Sequence, residues 1–582
     1  LYDEYLPQEQ DDACAVIAWL AAQPWCTGAV GMFGISWGGF NALQVAAHRP
    51  PALRAIITLC STDDRYADDV HYMGGCMLSA DMLAWASVML AFNSRPPDPA
   101  VVGPHWREEW LRRIEETPRY SEIWLQHPLR DAYWRQGSVC EDFSRIACPV
   151  YAVGGWADGY TNAVFRLLEG LDVPRKGLVG PWAHAYPEVA LPGPAVGFQA
   201  EAIDWWRHWL CGEANGVMDG PVLRSYLQDA VPPARWYDER PGRWVADRQW
   251  PSASVTHQRW WFGAAGLTAT AQSPLSVQIP TDLRHGADAG MWCSYGMPGD
   301  YAPDQRGEDG RSCCFDSPVS TETVDILGFP RLSLTLAADR PIAQVTVRLC
   351  DVAPDGSSLL VSRGVHNLTH QPDHASVTPC QPGVAQAITV TLNACGHTLR
   401  PGHRWRVALA PSYWPHIWPS PEPVTLTLEC ATATLDVPTR SPQADDSSAG
   451  DFAAPAGMLQ NDITILRAPT RRRSEHIDHV SGECSLHDEN DAGQFVRADG
   501  LTYGHHYADR QYITPGDPLS ARCVCEHTIT VGRGDWQTRI ETWSALWCDA
   551  AAFHVENRIV ASENDVVVSE QSHTQRIARH GI

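Results

Sequence analysis

Three side chains in this sequence are of types that can run acyl transfer, and they occur in a telling order. Ser36 lies in FGISWGGF (residues 33–40), a hydroxyl between Gly34 and Gly38 in a G-x-S-x-G pattern. Asp158 lies in GGWADGY and His184 in GPWAHAY. A serine hydroxyl is a weak nucleophile at neutral pH and needs a base held in place by a third group. The bare pattern is cheap. With glycine near ~7% and serine similar, it arises by chance in roughly one chain in five of this length.

The elements around these residues sharpen the reading. AVGMFGIS (Ala29–Ser36) reads as a short buried strand, and GGFNALQVAAHRP as a helix ended near Pro50. A strand–turn–helix with serine at the corner is a nucleophile elbow. Glycines at 34 and 38 are expected to let the neighbouring backbone pass closely. The helix N-terminus favours developing negative charge, and the backbone N–H of Trp37 is placed to serve an oxyanion. Asp158 follows the apolar strand Cys148–Val153, and His184 follows the one at Leu178–Val179. Both are post-strand loops, where an open α/β sheet places its chemistry. Serine, acid, histidine is also the chain order of α/β-hydrolases. Taken alone, Asp158 is equally a helix N-cap and His184 a surface loop residue; the order and the shared sheet edge argue against both. Among other histidines, His71 precedes any good acid strand. His505 and His506 (GHHY) fall in the distal β region, where solvation is the expected state. No HExxH or similar ligand spacing occurs, so neither a metal nor another cofactor is expected.

At 582 residues the chain is too long for one core, and two or three domains are expected. A net charge of −24 repels phosphate backbones and argues against a nucleic-acid partner. The 18 cysteines show no CxxC and no repeated spacing, which suits small buried residues in a reducing compartment. No stretch approaches the ~20 apolar residues of a membrane span. The chain opens LYDEYLPQEQ, without Met and almost directly on a helix, so it is expected to be truncated at its N-terminus, with a signal peptide undecided. The expected compartment is the cytoplasm, with a homodimer left open.

Strands alternate with helices through residues 1–77 and 147–220, which predicts a parallel sheet with helices on both faces. Residues 78–146 are Trp-rich and helical, with no good strand, and read as a cap inserted over that sheet. From 221 to 438, evenly spaced short strands such as QVTVRLCDV and RWRVALAP predict a β-sandwich or jelly roll. Residues 439–457 are polar and small and read as a linker. Residues 458–582 carry more strands, which either extend the sandwich or form a separate layer.

Several motifs are familiar together. QPWCTGAVGMFGISWGG, GGWADGY, GPWAHAYP, ILGFPRLSLTLAADRP and LRPGHRWRVALAPSYWP resemble the bacterial cocaine esterase and X-Pro dipeptidyl-peptidase family, the CocE/NonD hydrolases. The likeness spans roughly residues 1–435. It implies an α/β-hydrolase with an incomplete N-terminal part, a helical cap, a jelly roll and an extra β-rich extension. It implies Ser36 as nucleophile, His184 as general base and Asp158 as its orienting acid. It also implies two oxyanion donors, the Trp37 N–H and a tyrosine hydroxyl from a segment upstream of Leu1; Tyr2 and Tyr5 do not match that tyrosine. Related α-amino-acid ester hydrolases grip a substrate ammonium with acids just after the catalytic Asp. Here Gly159-Tyr160-Thr161-Asn162 are neutral. Tyr160, Trp37 and the cap residue Trp85 instead suggest an aromatic wall. The expected activity is hydrolysis of carboxylic esters with apolar or aromatic acyl groups. The alternatives are an X-Pro dipeptidyl-peptidase or other aminoacyl peptidase or acylase, and a non-catalytic β-domain binding protein carrying a hydrolase remnant. The expected partner is a small-molecule ester or short peptide.

Overall fold

The computed structural model describes residues 2–370, 372–457 and 462–582. Residues 458–461, the expected start of the extension, lie outside the described residues, as do Leu1 and Gln371. Five strands form the parallel core in the order β1 (Val30–Ile35), β2 (Leu53–Leu59), β3 (Val150–Gly155), β4 (Arg175–Gly180), β5 (Leu223–Asp229). Parallel register puts Ile35 beside Leu59 and Gly155 beside Gly180. The C-terminal ends of β1, β3 and β4 therefore share one sheet edge, and the loops after them carry Ser36, Asp158 and His184. Ile56 and Ala152 of β2 and β3 pack on Val45 and Ala46 from the helix between β1 and β2, while Ile57 and Val153 pack on the other face against Phe198 and Trp205. Burial on both faces explains why these strands are near-continuous apolar runs.

The helices in chain order are α1 (Pro7–Ala21), α2 (Trp37–His48), then the cap helices α3 (Ser79–Asn93), α4 (Trp106–Glu116) and α5 (Tyr120–Leu125), then α6 (Thr161–Gly170) and α7 (Phe198–Cys211); α1, α2, α6 and α7 pack on the core sheet. Beyond β5 the chain turns to antiparallel strands. One layer continues the core sheet; the other is a four-stranded sheet of β6 (Cys313–Asp316), β7 (Gln344–Val352), β8 (Ser358–Asn367) and β9 (Arg404–Ala410) in the order β6-β9-β7-β8. Leu332, Leu334 and Leu336 from one layer meet Val345, Val347 and Val407 from the other in a single apolar core. That is a sandwich, with alternate residues of each strand turned inward.

The strands after residue 462 form their own sheet. They are β10 (Ile463–Arg467), β11 (Thr470–Ile477), β12 (Cys484–Arg497), β13 (Thr502–Thr514), β14 (Asp517–Arg533), β15 (Trp536–Cys548), β16 (Ala552–Glu563) and β17 (Val566–Ala578). β10 and β11 both pair with β12, and β12 to β17 run as an antiparallel meander. This sheet docks on the cap. Cys523, Cys525 and Leu546 share a buried cluster with Met82, Ala86 and Trp124, and Ile529 and Ile540 join Leu90 and Trp110. Arg533 clamps Asp98 of the cap with two bonds of 2.8 and 2.9 Å. Among the described residues no helix is long and apolar enough to cross a membrane.

Candidate active site

The corner between β1 and α2 holds Ser36 at φ 56° and ψ −127°, a left-handed conformation that a non-glycine residue adopts at a cost of ~1–3 kcal/mol. The corner is pinned on both sides: Ser36 N donates to Leu59 O at 3.0 Å and Phe40 N to Ser36 O at 2.9 Å. A Cβ on Gly34 would fall well inside contact distance of the Gly38 backbone. Gly38 itself meets nothing within 4 Å, so the expectation that it too is sterically required is corrected. The close approach on the helix side is at Gly39, where a Cβ would lie 2.8 Å from Leu59 O. Trp37 opens α2, so its backbone N–H has no intrahelical acceptor, while its indole donates to Glu9 Oε2 at 2.9 Å.

The acid and the histidine are joined directly: His184 Nδ1 and Asp158 Oδ1 are 2.9 Å apart, and Asp158 is 6% exposed. That contact leaves Nε2 as the ring atom free to act on a hydroxyl. Ser36 and His184 line one cavity. Among the described residues no hydrogen bond joins Ser36 Oγ to the imidazole; such bonds commonly tighten only with substrate in place. A loop of the β-sandwich region braces both chemistry-bearing loops. Ser294 O accepts from His184 N at 2.9 Å, and Ser294 N donates to Ala157 O at 3.1 Å. Two thiols flank the acid. Cys293 Sγ is 3.6 Å from Asp158 Oδ1, and Cys60 carries its sulfur within 4.8 Å of the ligating atoms of Asp158 and His184.

The cavity measures about 420 Å³. Its near walls are aromatic, with Tyr5, Tyr160, Trp85, Phe92 and Trp292. Trp85 stands 6.4 Å from the Trp37 ring, and Tyr160 lies edge-on to Phe40 at 5.3 Å. The Tyr160 hydroxyl is committed to Asp69 at 3.0 Å. Behind this wall His71 sits 3.3 Å from Glu4 and 3.5 Å from Asp69, and Glu4 also pairs with Arg65 at 3.1 Å. Burial pulls the His71 imidazole down, but Glu4 and Asp69 together outweigh it and raise it to about 9.

The far wall comes from the C-terminal sheet: Arg471 and Arg473 of β11, Asp488 of β12, His505, Tyr507, Asp509 and Gln511 of β13, and His527 of β14. His505, expected to be solvated, is instead half-buried, 3.1 Å from His527, and lines this cavity. Its strand neighbour His506 faces outward against Glu489. Burial, reinforced by Asp488 opposite it, lifts the Asp509 carboxyl to about 7. A larger cavity of about 960 Å³, lined by His366, His370 and His374, does not include Ser36.

Comparison with known proteins gives the family and the fold. The X-Pro dipeptidyl-peptidase (S15 family) profile matches residues 2–186, and that of the X-Pro dipeptidyl-peptidase C-terminal non-catalytic domain matches residues 226–451. The chain belongs to the cocaine esterase and X-Pro dipeptidyl-peptidase family of serine hydrolases. It is 23% identical over 470 residues to the cocaine esterase of Rhodococcus sp. (strain MB1 Bresler), covering 71% of this chain and 78% of that one. It is 21% identical over 424 residues to a putative Xaa-Pro dipeptidyl-peptidase of Bacillus cereus, covering 71% and 66%. Among solved structures, an α-amino acid ester hydrolase superposes with a TM-score of 0.59 at 19% identity over 74% of this chain and 80% of that one. A CocE/NonD family hydrolase from Staphylococcus aureus gives 0.57 at 15% identity over 75% and 77%. These likenesses fix the fold as an α/β-hydrolase with a β-rich C-terminal region. Both family profiles end before the sheet that forms the far wall.

Proposed function

We propose that this serine hydrolase cleaves carboxylic esters with apolar or aromatic acyl groups through an acyl-enzyme on Ser36. The observation that carries the reading is the meeting, in one aromatic-walled cavity, of a strained serine and a histidine whose Nδ1 is bound to a buried carboxylate. His184 Nε2 takes the Ser36 proton as Oγ attacks the ester carbonyl. The Trp37 N–H receives the negative charge on the carbonyl oxygen, and the field at the start of α2 favours it. The imidazolium, steadied by Asp158, protonates the departing alcohol. Water then enters, loses its proton to the same nitrogen, and releases the acid. Tyr160, Trp85 and Trp292 remove the apolar acyl group from water, a contribution of ~1.5–3 kcal/mol for a fully buried side-chain-sized group. Ser36→Ala is expected to abolish both ester hydrolysis and labelling by a fluorophosphonate. Labelling that survives the substitution overturns the assignment.

A second reading rests on the acidic groups of the same cavity. Asp488 Oδ1 and Asp509 Oδ1 have no hydrogen-bond partner, which suits the amino terminus of a peptide. Proline-specific dipeptidyl-peptidase activity would use the same three residues. Comparing kcat/KM for 4-nitrophenyl esters with that for X-Pro anilides separates the two, and the ester reading expects the esters to win by at least about tenfold.

A further inference from the structure

Sequence spacing shows no metal motif, yet the fold assembles a soft-metal donor set from three distant loops. Cys60 Sγ, an Asp158 oxygen and a His184 ring nitrogen all lie within 4.8 Å of one another. Cys60 is 2% exposed and Asp158 6%, so water competes little for these positions. Asp158 Oδ2 has no hydrogen-bond partner, which leaves a buried acceptor open in the cluster. Cys293 Sγ, 3.6 Å from Asp158 Oδ1, stands on the cavity side as a further sulfur. Thiolate, imidazole and carboxylate are donors that Zn²⁺ and its heavier congeners bind well. His184 and Cys293 line the cavity, which gives an ion its way in.

We propose that Cys60, Asp158 and His184 form a binding site for a thiophilic divalent cation, Zn²⁺ or Cd²⁺, whose occupation switches the hydrolase off. The site stands on the donor geometry; the switching rests on the catalytic roles proposed above. On binding the metal the Cys60 thiol gives up its proton to solvent and coordinates as thiolate. The metal takes His184 Nδ1 in place of the Asp158 contact, and the ring proton moves to Nε2. One proton is released per ion bound, with no redox change. A protonated Nε2 in a neutral ring cannot accept the Ser36 proton, and Asp158 no longer steadies the imidazolium. The base is therefore lost without any movement of the serine.

The test uses chelator-treated full chain. Co²⁺ is added first, and its thiolate charge-transfer absorption is recorded for the native protein, for Cys60→Ala and for Cys60→Ser. Ester hydrolysis is then titrated with Zn²⁺ and reversed with EDTA. The expected result is a charge-transfer band in the native protein that both variants lose. Zn²⁺ inhibition, read as a fraction of each protein's own metal-free activity, is expected to be relieved by chelator and to need at least tenfold more metal in the variants. Absence of the band, or a band and an inhibition curve that Cys60 substitution leaves unchanged, overturns the site. A Cys60-dependent band with undiminished hydrolysis upholds the site and removes His184 as the base, so the two readings fail separately.

Discussion

At the scale of the residue, the elbow separates two glycines that look equivalent in the motif. Gly34→Ala drives a methyl into the Gly38 backbone, so the turn must open and Ser36 must move. A displacement near 1 Å costs ~10²-fold in rate, and kcat/KM for Gly34→Ala is expected to fall by at least that much. Gly38→Ala meets open space and is expected to stay within about threefold of native, measured on the same ester. Ser36, Asp158 and His184 were legible because each sits where a strand ends, and strand ends are announced by apolar runs. Ser294 was not legible. It braces Ala157 and His184 through its backbone alone, from a loop more than a hundred positions away, and such a bond leaves no mark on residue type. The thiols at 60 and 293 read as ordinary buried cysteines for the same reason: only the fold reveals what they are buried beside.

At the scale of the element, α3 is held between two layers. Met82, Leu83, Ala86 and Leu90 are buried, while Trp85 faces the cavity. Trp85→Ala is expected to raise KM for an aromatic acyl ester ~10–100-fold, with kcat changed less than about threefold, because binding area is lost and the relay is not touched. Equal losses in both constants would place Trp85 in the cap core instead. The strands of the extension were legible as strands, but their orientation was not. His505, Tyr507, Asp509 and Gln511 alternate along β13, and Arg471 and Arg473 along β11, with the period of 2 that normally marks a solvent-facing polar row. Here those rows face a cavity. Nothing in period or polarity distinguishes water in bulk from a wet pocket, so docking of the sheet on the cap had to come from the structure.

At the scale of the whole molecule, the Glu4–His71–Asp69 network ties the N-terminal segment to the loop after β2. The His71 imidazole is raised from 6.5 to about 9 in the folded state. Its contribution is therefore fully present below pH 6.5 and is lost as pH rises through about 9. Chemical denaturation is expected to show stability falling by on the order of 2–3 kcal/mol across that window, and His71→Gln is expected to flatten the slope. A native protein with no greater slope than the variant would remove His71 from the pH response.

One cavity is lined by Glu4 at one end of the chain and His527 near the other. During synthesis the α/β core and its nucleophile leave the ribosome long before the strands that wall off the far side. A nascent chain halted short of β11 would carry Ser36, Asp158 and His184 beside a cavity that still lacks the wall made by Arg471, Arg473, Asp488 and the side chains of β13 and β14. Both arginines of this cavity are therefore made after Ser36, His184 and most of its aromatic wall.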